Sequence, residues 1–154
     1  MGPPGHLAIA FAAKPVAPKA PFWLLLTATE ILDLLAFAFM AIGIEHVAPE
    51  PYFAWSHGLF MSVVWSVATG AIVFLFFKNH RTGFIIGLLV FSHWVLDFIS
   101  HSPDLPLFFN GSPLVGLGLE SSVLAGIIIE FSMLAVGVTI YIRTRKRTEN
   151  KQVH

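Results

Sequence analysis

The sequence predicts an all-α fold: a polytopic integral membrane protein built as a bundle of four transmembrane helices in a single domain, residues 1–154. Three observations predict it: an apolar composition, four stretches of membrane-spanning length, and the segregation of every basic residue. Of the 154 residues 56% are hydrophobic and 12% charged, and the mean hydropathy is +0.77. Soluble domains carry roughly 25% charged residues. The chain has no cysteine, which excludes disulfides, iron–sulfur clusters and thiolate metal sites, so any metal must be held by nitrogen and oxygen.

The N-terminal apolar run LAIAFAA is seven residues long, and Lys14 and Lys19 follow it instead of preceding it. That order does not fit a signal peptide, and the segment is expected to stay in the mature protein. About 20 helical residues cross a bilayer core, and the stretches that meet this length are residues 22–44, 53–77, 84–101 and 119–142. The third is expected to run on until Pro103 stops it. Between the third and fourth spans, DLPLFFNGSPLVGLG is rich in Pro and Gly yet apolar. It reads as a loop lying in the interface or folded back onto the protein.

The charges orient the chain. Lys14 and Lys19 precede the first span, Lys78 and Arg81 join the second to the third, and Arg143, Arg145, Lys146, Arg147 and Lys151 follow the fourth. Those are all nine Lys and Arg residues, and the other two connections hold Glu45, Glu50 and Asp104 instead. The positive-inside rule then places both termini in the cytoplasm, with residues 143–154 as a basic tail. The tail reads as a cytoplasmic anchor touching membrane lipids, and no nucleic-acid partner is expected. Phosphate-binding glycine loops and the GxSxG nucleophile elbow are absent.

Against this background the buried polar groups stand out. Glu30 and Asp33 lie in the first span, His57 opens the second in WSHG, His93 and Asp97 lie in the third, and Glu130 in the fourth. In FSHWVLDFISHSPD, His93, Asp97 and His101 recur every four residues and share one helix face. No Lys or Arg lies at that depth to pair with the acids. Three explanations compete: a structural hydrogen-bond network with Ser56, Ser62, Ser92 and Trp94; a proton path; and a metal site. Neutral imidazole and ionised carboxylate together suffice for Zn²⁺ or Mn²⁺, whose charge compensates the buried acids. Glu30 and Glu130 are assigned structural or supporting roles, and His46, His80 and His154 none.

The segments GHLAIAFAAK, ATEILDLLAF, WSHGLFMSVVW and SHWVLDFISHSPDLPL together resemble the YdjM-like family, described as LexA-binding, inner-membrane-associated, metal-dependent hydrolases. The resemblance covers most of the first 110 residues. It implies His6, Asp33, His57, His93 and Asp97 as metal-site residues, and a bacterial inner-membrane location. The chain departs from the family pattern in two places. A Pro-Asp-x-Asp element is reduced to Glu30 and Asp33, and an Arg shortly before the second histidine is missing. Including His6 requires residues 6–13 to form a short re-entrant helix, with Pro15, Pro18 and Pro21 making the return.

The expected function is therefore metal-dependent hydrolysis of a lipid-like or other amphiphilic ester or phosphoester. A divalent metal, Zn²⁺ first and Mn²⁺ second, would activate water, with Asp97 or His101 accepting the proton. The alternatives are a small proton- or cation-coupled transporter and a non-catalytic scaffold with a structural metal or none.

Overall fold

The computed structural model describes residues 1–46, 53–109, 111–120 and 122–152, with side chains described up to residue 147. Its elements are α1 (Pro3–Ala13), α2 (Phe22–Thr29), α3 (Ile31–Ala41), α4 (Leu59–Phe77), α5 (His80–Ser100), β1 (Leu105–Pro106), β2 (Leu114–Val115) and α6 (Val123–Gln152). The fold is all-helical apart from the two-residue strands, which pair antiparallel. Among the described residues, three helices, α4, α5 and α6, are long and apolar enough to cross a membrane. The bent pair α2–α3 makes a fourth when counted as one span.

Helix α1 begins with prolines in its first turn, where a missing N–H costs nothing. The proline-rich segment after it reverses the chain. Lys14 Nζ closes this turn by donating to the carbonyls of Ala20, at 2.6 Å, and Pro18, at 3.1 Å. The first predicted span is not one helix. Glu30 leaves helical geometry (φ −107°, ψ 3°), and α3 departs from α2 at 58°. The second span is also shorter than predicted, because residues 53–58 form a turn and the helix starts at Leu59. In the other direction, α6 runs past residue 142 through the basic segment to Gln152, so residues 143–152 continue the helix.

Helices α4 and α5 are joined by Lys78 and Asn79 and lie antiparallel in close contact. Lys78 takes the left-handed conformation (φ 49°), and the Asn79 side chain caps α5 by accepting from the Thr82 amide at 3.0 Å. A Cβ on Gly70 would stand 2.8 Å from the Gly83 carbonyl, and one on Gly87 would stand 2.9 Å from the Ser66 carbonyl. Ser66 with Gly70, and Gly83 with Gly87, thus form facing small-residue pairs four apart, the spacing that lets two helix backbones meet. On the other side of the molecule Gly137 of α6 touches the backbone of Ala8, which seats α1 against α6.

Leu25, Leu32, Ile86 and Val90, all 0% exposed, form the apolar centre between α2, α3 and α5. The outer faces are equally apolar: Val67, Phe76, Phe84, Val123 and Leu124 are each more than 60% exposed. A helix that is hydrophobic on all sides suits a hydrocarbon surrounding. The loop after α5 folds back on the protein. The amides of Leu117, Gly118, Leu119 and Glu120 bond to the carbonyls of Phe98, His101, Ile99 and Ser100 at 2.7–3.1 Å. Those are the carbonyls that a helix C-terminus leaves without partners.

Candidate metal site

The site grows from α5. Its i, i+4 spacing sets His93 and Asp97 on one face, with His93 Nε2 3.2 Å from Asp97 Oδ2. Both are buried, at 1% and 3% exposure. The other ring nitrogen of His93 lies 2.6 Å from the carbonyl oxygen of Thr29. A carbonyl only accepts, so Nδ1 carries a proton and, in the neutral ring, Nε2 is a bare lone pair. The break at Glu30 makes this contact possible. It ends α2 at Thr29, whose carbonyl then faces α5 instead of an amide of its own helix.

His57 arrives from the turn before α4. Its Nδ1 is 2.8 Å from Ser56 Oγ, and Ser56 Oγ donates to Glu45 Oε2 at 2.8 Å. The single hydroxyl proton goes to the carboxylate, so Ser56 accepts from His57 Nδ1–H, which again leaves Nε2 bare in the neutral ring. Glu45 also accepts from the amides of Trp55 and Ser56, both at 2.8 Å, so it holds the whole turn. Gly58 follows because the turn is tight; a Cβ there would come 2.5 Å from the Ala54 carbonyl. Ser56, His57 and Asp33 follow one another as in a nucleophilic triad, but Ser56 is 0% exposed and bonded to Glu45. It cannot reach a substrate.

Asp33, in the first turn of α3, completes the set. Its Oδ1 lies 3.2 Å from His57 Nε2 and 3.6 Å from His93 Nε2. The two Nε2 atoms are 3.2 Å apart, and His57 Nε2 is 3.7 Å from Asp97 Oδ2. Two bare lone pairs at that distance repel, and at most one proton can sit between them. The arrangement therefore calls for one proton or one cation. A tetrahedral Zn²⁺ with bonds of about 2.0–2.1 Å has ligand–ligand edges of about 3.3 Å. The five measured edges among these four atoms, 3.2–3.7 Å, fit such a site.

Among the described residues, two triads have ligand atoms close enough to hold a metal ion: Asp33, His57 and His93, and His6, His93 and Asp97. They share His93, whose Nε2 offers only one lone pair, so they describe one centre and not two ions. His6 is carried in by α1, as the short N-terminal helix predicts, and its ring stacks on His93 with centroids 3.7 Å apart and a 4° tilt. Its Nε2 faces two acceptors, Asp97 Oδ1 at 3.4 Å and the Met1 carbonyl at 3.3 Å. In this geometry His6 Nε2 carries a proton and orients Asp97, leaving Oδ2 for the cluster. The Met1 α-ammonium adds a second bond to Asp97 Oδ1 at 2.8 Å. A carboxylate this buried costs several kcal/mol if unpaired, and these partners offset that cost.

A cavity of about 420 Å³ opens onto the cluster. Asp33, His57 and Asp97 line it together with Phe37, Met40 and Phe53. His101 lines it at 40% side-chain exposure, 3.7 Å from Asp97 Oδ1 and 3.5 Å from Asp104 Oδ1. The structure thus brings His6, Asp33, His57, His93 and Asp97 together, with His101 beside them.

Of the hydroxyl and indole groups considered for a structural network, only Ser56 joins the cluster. Ser92 bonds within its own helix, while Ser62 Oγ and Trp94 Nε1 have no hydrogen-bond partner among the described residues. Glu130 bonds the Gly2 amide and so ties α6 to the start of α1. His80 stacks on Phe74 away from the site, and His154 lies outside the described residues. Glu45 was not legible as a site residue, since an acid in a loop has no periodicity to single it out. The chain matches no known family model, no curated protein and no solved structure.

Proposed function

We propose that this chain is an integral inner-membrane protein whose His/Asp centre holds a divalent cation, Zn²⁺ before Mn²⁺, and hydrolyses an amphiphilic substrate. The observation that carries the reading is the pair of Nε2 atoms 3.2 Å apart, each with its Nδ1 hydrogen-bonded elsewhere and carboxylate oxygens around them. The YdjM-like resemblance, with its hydrolase activity, belongs to the same proposal. So does the topology of four spans with both termini cytoplasmic, which the nine basic residues support.

A divalent cation in such a centre lowers the pKa of a bound water and polarises the scissile bond. The chain supplies the rest. His57 and His93 present nitrogen lone pairs fixed by Ser56 and Thr29, and the Asp33 and Asp97 carboxylates balance the charge. His101, on the cavity wall beside Asp97, is placed to take a proton from water and pass it to the leaving group. Hydrolysis is favoured over transport because Leu25, Ile86 and Val90, toward the basic ends of α2 and α5, close the core with apolar atoms.

Elemental analysis of purified protein tests the centre. About one equivalent of metal is expected in wild type and almost none in His93→Ala. Wild-type metal content in His93→Ala, His57→Ala and Asp97→Ala alike would sink the proposal. Topology is checked by reporter fusions after Gly111 and after the C-terminus, which should report opposite sides.

A further inference from the structure

We infer that the substrate of this site is an uncharged acyl ester or amide with an apolar tail, and not a phosphoester. The inference rests on the hydrolase reading above and narrows it. Its basis is the charge inventory of the cavity. Three carboxylates line it, those of Asp33, Asp97 and Asp104, and no Lys or Arg does. None can approach from elsewhere in that half of the chain, because all nine Lys and Arg lie in or beside the connections at the opposite ends of the helices. The Met1 α-ammonium, the cationic group in the lining, is already bonded to Asp97 Oδ1.

A divalent cation does not reverse this balance. Its two charges and the Met1 α-ammonium together only balance Asp33, Asp97 and Asp104, so no positive charge is left over to meet a phosphate, and Asp104 is 48% exposed. Phosphoester chemistry spreads negative charge over several oxygens, and proteins meet it with Arg or Lys clamps or with further metal ions. Nothing of that kind lines this cavity among the described residues. A carbonyl needs less: one polarising centre and one proton relay.

The rest of the lining suits an acyl chain. Ala36, Phe37, Met40, Phe53 and Leu105 are apolar, and about 420 Å³ falls within the roughly 300–1,000 Å³ of small-molecule sites. Phe37 is 66% exposed, so the cavity wall continues onto the apolar outer face of α3, from which an amphiphile can enter sideways. In the reaction, the water oxygen bonds to the acyl carbon and the acyl C–O or C–N bond breaks. One water proton passes through His101 to the leaving oxygen or nitrogen, giving a carboxylic acid and an alcohol or amine.

The test uses two matched photoprobes on purified full-length protein in mixed micelles. One is a diazirine-bearing monoacylglycerol, and the other is the corresponding lysophosphatidate. Labelled peptides are mapped by mass spectrometry, and metal is quantified in the same samples. The neutral probe should label the segments holding Phe37 and Phe53 at least tenfold more than the anionic one. Asp104→Lys should narrow that preference to under threefold, and in protein where this variant does not fold, 0.5 M salt should narrow it in wild type. Equal or stronger cavity labelling by the lysophosphatidate, or no cavity labelling by either probe, overturns the inference. Neutral preference in protein that holds no metal supports the inference while removing the hydrolase reading; a metal-loaded protein without that preference does the reverse.

Discussion

Helices α5 and α6 are both long and apolar enough to cross a membrane, yet they occupy opposite positions in the molecule. The most apolar stretch of α5 is 50% buried and carries His93 and Asp97, whereas that of α6 is 11% buried and its acid, Glu130, bonds the Gly2 amide. Hydropathy marks both as candidate spans and cannot tell the scaffold from the outer wall. The difference lies in what interrupts the apolar pattern. Helix α5 has two polar groups four apart and two glycines four apart, so one face builds the site and another admits α4. Helix α6 carries Gly137 at its contact with α1 and otherwise presents branched and aromatic side chains outward.

Substitutions can break or sharpen this contrast. The largest effect is expected for His93→Ala, which should weaken metal binding by more than about 100-fold, above the 10–100-fold range typical of supporting partners. Glu130→Gln on α6 should change it less than about threefold. Metal titration of both variants is the check, and a Glu130→Gln protein that lost its metal would erase the distinction.

Next comes Gly83→Leu, which forces a side chain into the backbone of α4. A Cβ there already stands 2.7 Å from the Gly70 carbonyl, so overpacking of about 1–3 kcal/mol or more is expected. On α6, Gly126→Ala meets only the Glu120 side chain at 3.5 Å and should be near neutral. Unfolding in a fixed detergent mixture compares the two, and equal destabilisation would mean that the α4–α5 contact is not the tighter one.

Glu45→Gln should cost about tenfold in metal affinity with little loss of stability, since it weakens the support of His57 without removing a ligand. Unchanged affinity would show that the Ser56–His57 contact holds the ring alone. The smallest effect is reserved for the outer wall. Ile128, 57% exposed on α6, should tolerate Ala within about 0.5 kcal/mol.

Much of the site was legible because its chemistry lies in regular structure. His93 and Asp97 announce themselves by helical spacing, and Asp33 and His57 by being polar where hydrocarbon is expected. The short N-terminal helix that brings in His6 follows from the proline-rich return after it. What escaped the sequence depends on tertiary context. The break at Glu30 has no Pro or Gly to signal it, and it is what frees the Thr29 carbonyl for His93. Glu45 is twelve residues from His57 and supports it only through the tertiary contact with Ser56. The second span was drawn too long for a related reason. The segment opens with the apolar Phe53, Ala54 and Trp55, but the Glu45 bonds to Trp55 and Ser56 hold residues 53–58 in a turn, not a helix.

The returning segment at residues 117–120 changes how the cavity end of the molecule should respond to probes of motion. Its four amides complete the carbonyl row of the last turn of α5, the turn that begins one residue after Asp97 and ends at His101. To an amide-exchange experiment, a Pro- and Gly-rich loop bonded in this way is an extra turn of helix. Its protons should exchange as slowly as those of α5, and a protease should find no ready cleavage point there. It follows that peeling the segment away would also fray the end of α5 and carry His101 with it, so traffic to the cavity is better served from the flank, past Phe37, with the loop left in place.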